Sequence, residues 1–287
     1  MSERGGNYVV LNGEIVAADE ARVPVDDRGF LYGESVFTTL RCYKGRPFRL
    51  DRHVARLNAS LRSPVVGIDY VLNEAAVRND IARLVQLSGC PDAVVRLRVT
   101  RGQGAGPLPP HDCRPAALLT VDPLKLDESI YERGVKLIVS SVRRDAHGEL
   151  AKHKLGSYFG SLLARRQAAE QGADEAVIRD TDDNWLECAC SNLFVVAGGT
   201  LITPPTTQNL LPGIARETVL ECAEALSIPI SEEPLTARIA ERAEEAFITN
   251  SVQEVVPVAE ADGQRLSQAN RVARTLMQAY RALTQSA

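Results

Sequence analysis

The sequence predicts an α/β protein of the α+β kind, in two domains. Three observations carry this. Short segments of period-two hydrophobic alternation recur along the chain, a few longer segments have helical periodicity, and 287 residues exceed one ordinary domain of about 150. The expected bounds are 1–121 for a small α+β domain, 122–128 for a linker and 129–287 for a larger domain that includes Lys152 and Lys154.

Residues 8–16 read as a hairpin, because Asn12-Gly13 supplies the two positive φ angles of a type I′ turn. A second hairpin covers 36–50, with Lys44-Gly45 as its turn. Asp51 is the expected N-cap of a helix with Val54, Leu57 and Leu61 at helical spacing. Asn73 caps another, whose face is Val77, Ile81, Leu84 and Val85 and whose stop is Gly89. Strands are expected at 94–100 and 116–121, before the charged, proline-containing linker. Beyond it come a strand at 135–142, a helix at 158–171 closed by Gly172, and short strands at 175–179, 185–190 and 193–197. Gly198-Gly199 turns into 201–203, and helices at 214–226 and 267–283 flank a strand at 246–249.

Composition narrows the function class. A hydrophobic content of 45% and a charged content of 24% are those of an ordinary globular chain. A formal net charge of −4 gives no basis for a nucleic-acid or anionic-membrane partner. The first residues lack the apolar core of a secretory signal, and no apolar run reaches bilayer length, so a cytoplasmic protein is expected. Cys42, Cys90, Cys113, Cys188, Cys190 and Cys222 lack metal-ligand spacing and read as reduced thiols, with no metal site.

The lysines are Lys44, Lys125, Lys136, Lys152 and Lys154, few enough to search one by one for a reactive amine. Lys154 precedes an expected helix, and Glu187 sits about thirty residues on in an otherwise uncharged run. An amine that can form an imine and a carboxylate that can hold a protonated ring nitrogen suit pyridoxal-phosphate chemistry. Spacing alone leaves Lys152 as a rival. Residues 101–106 have the glycine content of a phosphate cradle, but Pro107, Pro109 and Pro110 follow in place of a helix, which excludes a dinucleotide loop.

Lys154, Tyr158, the block 172–176, Glu187, Ser191-Asn192-Leu193-Phe194, Leu211-Pro212-Gly213-Ile214 and Arg216 occur in that order. Upstream stand 27–33 and His53-Val54-Ala55-Arg56-Leu57. Together these blocks resemble the class IV aminotransferases, the fold-type IV pyridoxal-phosphate enzymes, from about residue 8 to the 260s. The resemblance implies a D-amino-acid-aminotransferase-like fold and selects Lys154 over Lys152, since the family has tyrosine four positions after its lysine. It implies that Glu187 pairs with the pyridine nitrogen, Tyr158 with the ring oxygen, and Arg56 with the phosphate. Ile214 and Ala215 at a helix start, with the hydroxyl of Ser251, would complete the phosphate site, and Asn192 joins the cofactor shell. Where the family commonly has threonine this chain has Ala215, so a hydroxyl contact is lost.

For substrate, the resemblance implies Tyr32, Arg101 and one of Thr38 and Thr39, with Thr38 favoured. Familiar D-amino-acid enzymes grip the α-carboxylate with an arginine and a histidine where this chain has Gly106 and Leu108. Arg96, Arg98 or Arg101 could substitute, although strand alternation prevents all three from facing one way. The implied reaction is a ping-pong transfer of an amino group from a D-amino acid, a branched-chain amino acid or a related primary amine to a 2-keto acid. Aminodeoxychorismate lyase is the alternative, and a non-catalytic pyridoxal-phosphate-binding protein a more distant one. The family also implies a homodimer, with the cofactor between the domains and a neighbouring subunit's loop closing the site.

Overall fold

A computed structural model of the chain describes residues 8–104, 106–267 and 269–286. The chain divides into two compact units. The first runs to Lys125 and also takes His153–Ser157; the second comprises Leu126–Lys152 and Tyr158–Ser286.

In the first unit, β1 (Tyr8–Leu11) and β2 (Glu14–Ala17) form the expected hairpin, with Asn12 at φ 54° and Gly13 at φ 86°. Helix α1 (Arg28–Tyr32) precedes β3 (Ser35–Tyr43), which turns into the two-residue β4 (Arg46–Pro47). Helices α2 (Leu50–Arg62) and α3 (Glu74–Ser88) follow, then β5 (Ala93–Thr100) and β6 (Ala116–Pro123). The antiparallel sheet has the order β2-β1-β6-β5-β3-β4.

Strand alternation sends Val36, Leu40, Val95, Leu97 and Val99 into one core with Val54, Leu57 and Leu61 of α2 and Val77, Ile81 and Leu84 of α3. Burying each such aliphatic side chain contributes roughly 1.5–3 kcal/mol. The other face of the same strands carries Phe37, Thr39, Arg96 and Arg98, because residues opposite each other in the β3/β5 register share a face.

Helix α3 keeps its expected caps: Asn73 accepts from the Ala76 amide at 3.0 Å, and Gly89 is left-handed at φ 65°. Helix α2 differs. It starts at Leu50 behind a left-handed Arg49 (φ 53°), so Asp51 is a first-turn residue and not the cap. The hairpin strand runs almost directly into the helix, and the sharp reversal falls on Arg49. Asp51 still complements the helix dipole.

The lysine segment is a second correction, because residues 153–157 belong to the first unit and not to the second. The short β4 pairs only with Cys42 and Tyr43, so the start of β3 keeps an open edge. There the Phe37 amide donates to the Lys154 carbonyl at 2.9 Å, Val36 bridges Leu155, and the Gly156 amide donates to the Ser35 carbonyl at 2.7 Å.

The second unit opens with α4 (Ile130–Arg133), β7 (Val135–Arg144), α5 (Phe159–Glu170) and β8 (Glu175–Asp180). Strands β7 and β8 are parallel, and parallel neighbours require a crossover, here containing α5. Then come β9 (Trp185–Cys188), β10 (Asn192–Ala197), β11 (Thr200–Thr203), α6 (Ile214–Ala225) and β12 (Ile230–Glu232). Helix α7 (Ala237–Glu241), β13 (Glu245–Asn250), β14 (Glu254–Ala261), β15 (Gln264–Arg265) and α8 (Arg271–Ser286) complete it. The sheet order is β12-β11-β10-β13-β14-β7-β8-β9, with β15 on β14. Among the described residues no helix is long and apolar enough to cross a membrane.

Candidate active site

In the first unit, Lys154 is half-buried, and its Nζ lies 4.8 Å from the centroid of the Phe37 ring. Its rival Lys152 lies in the second unit, at the end of a 3₁₀ turn, and faces Glu149 at 4.0 Å. Behind β3, Thr38 is 1% exposed; its Oγ1 accepts from Arg56 Nη2 at 3.1 Å and lies 2.7 Å from His53 Nδ1. Thr38 is therefore turned to the helix side, where it supports Arg56. Burial first, then the charges of Arg56 and Lys154, holds His53 well below the usual histidine range.

The two other substrate candidates have definite surroundings. Tyr32 is exposed at the end of α1, with the Arg28 guanidinium 4.7 Å from its ring centroid. Arg101 is already committed, through Nε to Glu34 (2.6 Å), Nη1 to the Gly67 carbonyl (2.6 Å) and Nη2 to the Val66 carbonyl (2.5 Å). Glu34 also takes two hydrogen bonds from the buried Arg28, whose Nη1 holds the carbonyls of Gly104 (3.2 Å) and Gly106 (2.8 Å). The glycine-rich loop thus turns carbonyls, not amides, toward its cation, which is the wrong polarity for a phosphate cradle.

In the second unit, Glu187 on β9 is 7% exposed. Its carboxylate accepts from Arg144 Nη1 at 2.5 Å, Asn192 Nδ2 at 3.3 Å and the Leu211 amide at 3.4 Å. Arg144 is the residue that sequence reasoning missed. It ends β7, ten positions before the lysine, and only the fold brings it to Glu187.

Asn192 also donates to the Leu211 carbonyl at 3.4 Å, and its Oδ1 would lie 2.0 Å from a Cβ at position 213. Only glycine lets the chain pass that close. Gly213 is the N-cap of α6 and provides no side-chain hydrogen bond, and Ile214 and Ala215 begin the helix buried. Asn250 Oδ1 accepts from the amides of Val252 and Gln253 at 2.9 and 2.8 Å, which puts Ser251 on a tight turn. Tyr158 Oη lies 3.0 Å from the Ala189 carbonyl and 3.3 Å from Cys190 Sγ. Burial, reinforced by Cys190, pushes its phenol far above the usual range, so it stays protonated.

The family model for amino-transferase class IV matches residues 35–261. The chain belongs to the class IV aminotransferase family. A putative branched-chain-amino-acid aminotransferase of Methanocaldococcus jannaschii is 36% identical over 258 residues, covering 89% of this chain and 88% of the relative. A D-alanine aminotransferase of Bacillus licheniformis is 30% identical, covering 90% and 89%. Among solved structures, the Escherichia coli branched-chain amino acid aminotransferase superposes with a TM-score of 0.90 at 29% identity, covering 96% of this chain and 94% of that one. The 4-amino-4-deoxychorismate lyase of Pseudomonas aeruginosa superposes at 0.82 with 29% identity, covering 94% and 97%. The fold is that of the fold-type IV enzymes.

Class IV aminotransferases are pyridoxal-phosphate enzymes, and the residues present suit that cofactor. The second unit has a buried acid for a ring nitrogen and a helix start without a side-chain cap, whose amides favour a phosphate. The first unit has a half-buried amine and an arginine held by a buried hydroxyl.

Proposed function

We propose that this enzyme is a pyridoxal-phosphate-dependent aminotransferase that moves an amino group from a D-amino acid, a branched-chain amino acid or a related primary amine to a 2-keto acid. One observation supports this most. The loop at 211–213 gives an amide to Glu187 and packs against Asn192 immediately before α6, so one short segment serves a ring-binding acid and a phosphate-binding helix start.

When bound, the cofactor supplies an aldehyde that condenses with amines and a ring that accepts electrons during Cα–H cleavage. Lys154 is the residue proposed to hold it covalently. Once freed by the donor amine, Lys154 would hold and return a proton at Nζ, serving as general base and then general acid. Glu187, ion-paired with Arg144, would favour a proton on the ring nitrogen. Tyr158, which keeps its proton, would turn it from the Ala189 carbonyl to the ring oxygen. In the first unit Arg56 would offer its guanidinium to a phosphate; in the second, the amides of Ile214 and Ala215 and the hydroxyl of Ser251 would offer hydrogen bonds to one, and Asn192 would orient Glu187. The amino group would stay with the enzyme after the first keto acid leaves and pass to the second, which makes the order ping-pong. By family resemblance the active form is a homodimer, and the free cysteines among the described residues support a cytoplasmic location.

The likeness to a solved aminodeoxychorismate lyase favours a second reading, release of pyruvate and 4-aminobenzoate from 4-amino-4-deoxychorismate. Purified protein with excess cofactor is expected to be yellow, and borohydride to fix the cofactor on the peptide bearing Lys154. Label on Lys152, or a colourless protein, overturns the assignment. Incubation with D-alanine, L-leucine and (R)-1-phenylethylamine, each with 2-oxoglutarate, is expected to yield glutamate from at least one donor. Turnover of aminodeoxychorismate alone replaces the transaminase with the lyase.

A further inference from the structure

We infer that Arg98 is the anchor for the α-carboxylate of the substrate, which makes an amino acid, not a simple amine, the substrate class. This rests on the aminotransferase reading above.

Three arginines on or beside β5 could grip a carboxylate, and the fold disposes of two. Arg96 is exposed and paired with Asp122 at 2.6 Å. Arg101 has Nε, Nη1 and Nη2 committed to Glu34, Gly67 and Val66. Arg98 is different. It is half-buried, donates from Nη1 to the Ser35 hydroxyl at 2.8 Å, and among the described residues is paired with no carboxylate. A guanidinium taken partly out of water without a counter-charge is costly, and the bidentate fork of arginine matches a carboxylate. Burial alone lowers its proton affinity, with no acid to offset it.

Position supplies the rest. Arg98 stands opposite Phe37 in the β3/β5 register, and its guanidinium carbon lies 4.9 Å from the Phe37 ring centroid. Lys154 Nζ lies 4.8 Å from that same centroid. The two cations border one ring, and Phe37 and Arg98 stand on the sheet face away from the helices. In an amino acid the carboxylate is one bond from the carbon bearing the reacting amine, so its anchor must lie near the lysine. Gly156 keeps the anchor there, because a Cβ at 156 would fall 2.0 Å from Ser35 Oγ and 2.7 Å from Arg98 Nη1. A purely structural Arg98, stacked on Phe37 and tied to Ser35, would show no preference for an anion.

The test is calorimetric titration of holoenzyme with 4-methylpentanoate and with the neutral 4-methylpentanamide, neither of which can transaminate. Wild type is expected to prefer the acid, and R98Q to weaken it by roughly 10- to 100-fold, the loss expected of a charge-assisted pair, while the amide shifts by less than about threefold. R98K, which keeps the charge without the fork, is expected to recover part of the loss. Cofactor absorbance checks that each variant is loaded. Equal binding of acid and amide by wild type, or equal weakening of both in R98Q, overturns the role of Arg98. A wild-type protein that takes up no cofactor overturns the function reading instead, and the titration, repeated without cofactor, still scores Arg98.

Discussion

Thr38 fixes the tautomer of His53. The Thr38 oxygen accepts from Arg56, whose nitrogens can only donate, and the buried hydroxyl proton needs an acceptor of its own. His53 Nδ1, at 2.7 Å, is that acceptor and so carries no proton. The same geometry holds Arg56 in place from behind, and it requires a neutral imidazole.

A pH dependence follows. The unfolded chain protonates this histidine near its ordinary value of 6.5, whereas the folded protein keeps it neutral because burial, Arg56 and Lys154 oppose the charge. Below that pH the unfolded state binds more protons, so stability falls as pH falls, by at most about 1.4 kcal/mol per pH unit; above it the contribution is flat. Urea unfolding of wild type and H53Q at pH 8 and pH 5.5 checks this. The stability advantage of wild type over H53Q is expected to shrink at the lower pH, and an unchanged difference rejects it.

Arg144 and Glu187 form a nearly buried pair, 18% and 9% exposed in their side chains. Removing the cation alone strands a buried carboxylate, so R144M is expected to cost about 3 kcal/mol. The R144M/E187Q double variant is expected to cost less than the sum of the singles by about 1–3 kcal/mol, the mark of direct coupling. Denaturant titration of the four proteins reads the coupling; strict additivity would remove it. E187Q alone is expected to retain cofactor while losing turnover by about 10²-fold, as when an electrostatic partner of the reaction is removed.

Gly213→Ala places a Cβ against Asn192 Oδ1 and displaces the amide that donates to Glu187. Overpacking of this kind costs about 1–3 kcal/mol, and cofactor affinity is expected to fall with it. Gly160→Ala is the control. Its Cβ meets only Val142 Cγ1 at 3.8 Å inside α5, where alanine is favoured over glycine by roughly 0.5–1 kcal/mol. Melting temperature and cofactor titration separate the two; equal losses would mean that the close approach at 213 is unimportant.

Much of the framework was legible because it is written in local chemistry. Asn12-Gly13 and Lys44-Gly45 mark their turns by backbone freedom, and Asn73 and Gly89 mark both ends of α3. Helices α1, α4 and α7 have four or five residues and are too short for periodicity to register. The start of α2 escaped because its cap is a left-handed arginine, against residue preference. The site divides the same way. Lys154 and Glu187 stand in recognisable blocks, but the partner of Glu187 comes from a strand end forty-three residues upstream, and no local pattern announces it. For Arg101 no local pattern shows the partners: three-dimensional packing ties each of its three guanidinium nitrogens to Glu34 or a backbone carbonyl. Strand alternation allowed either Thr38 or Thr39 to face the substrate side; the β3/β5 register places Thr38 on the helix side, behind Arg56.

The short strip 153–157 lies along β3 of the first unit although both of its flanks belong to the second. No single truncation can therefore yield the two units intact. A fragment ending at Lys125 would leave the Phe37 amide without its strand partner and would lack the reactive lysine altogether. Restoring it would mean supplying that strip in trans, as a peptide seated on an open sheet edge.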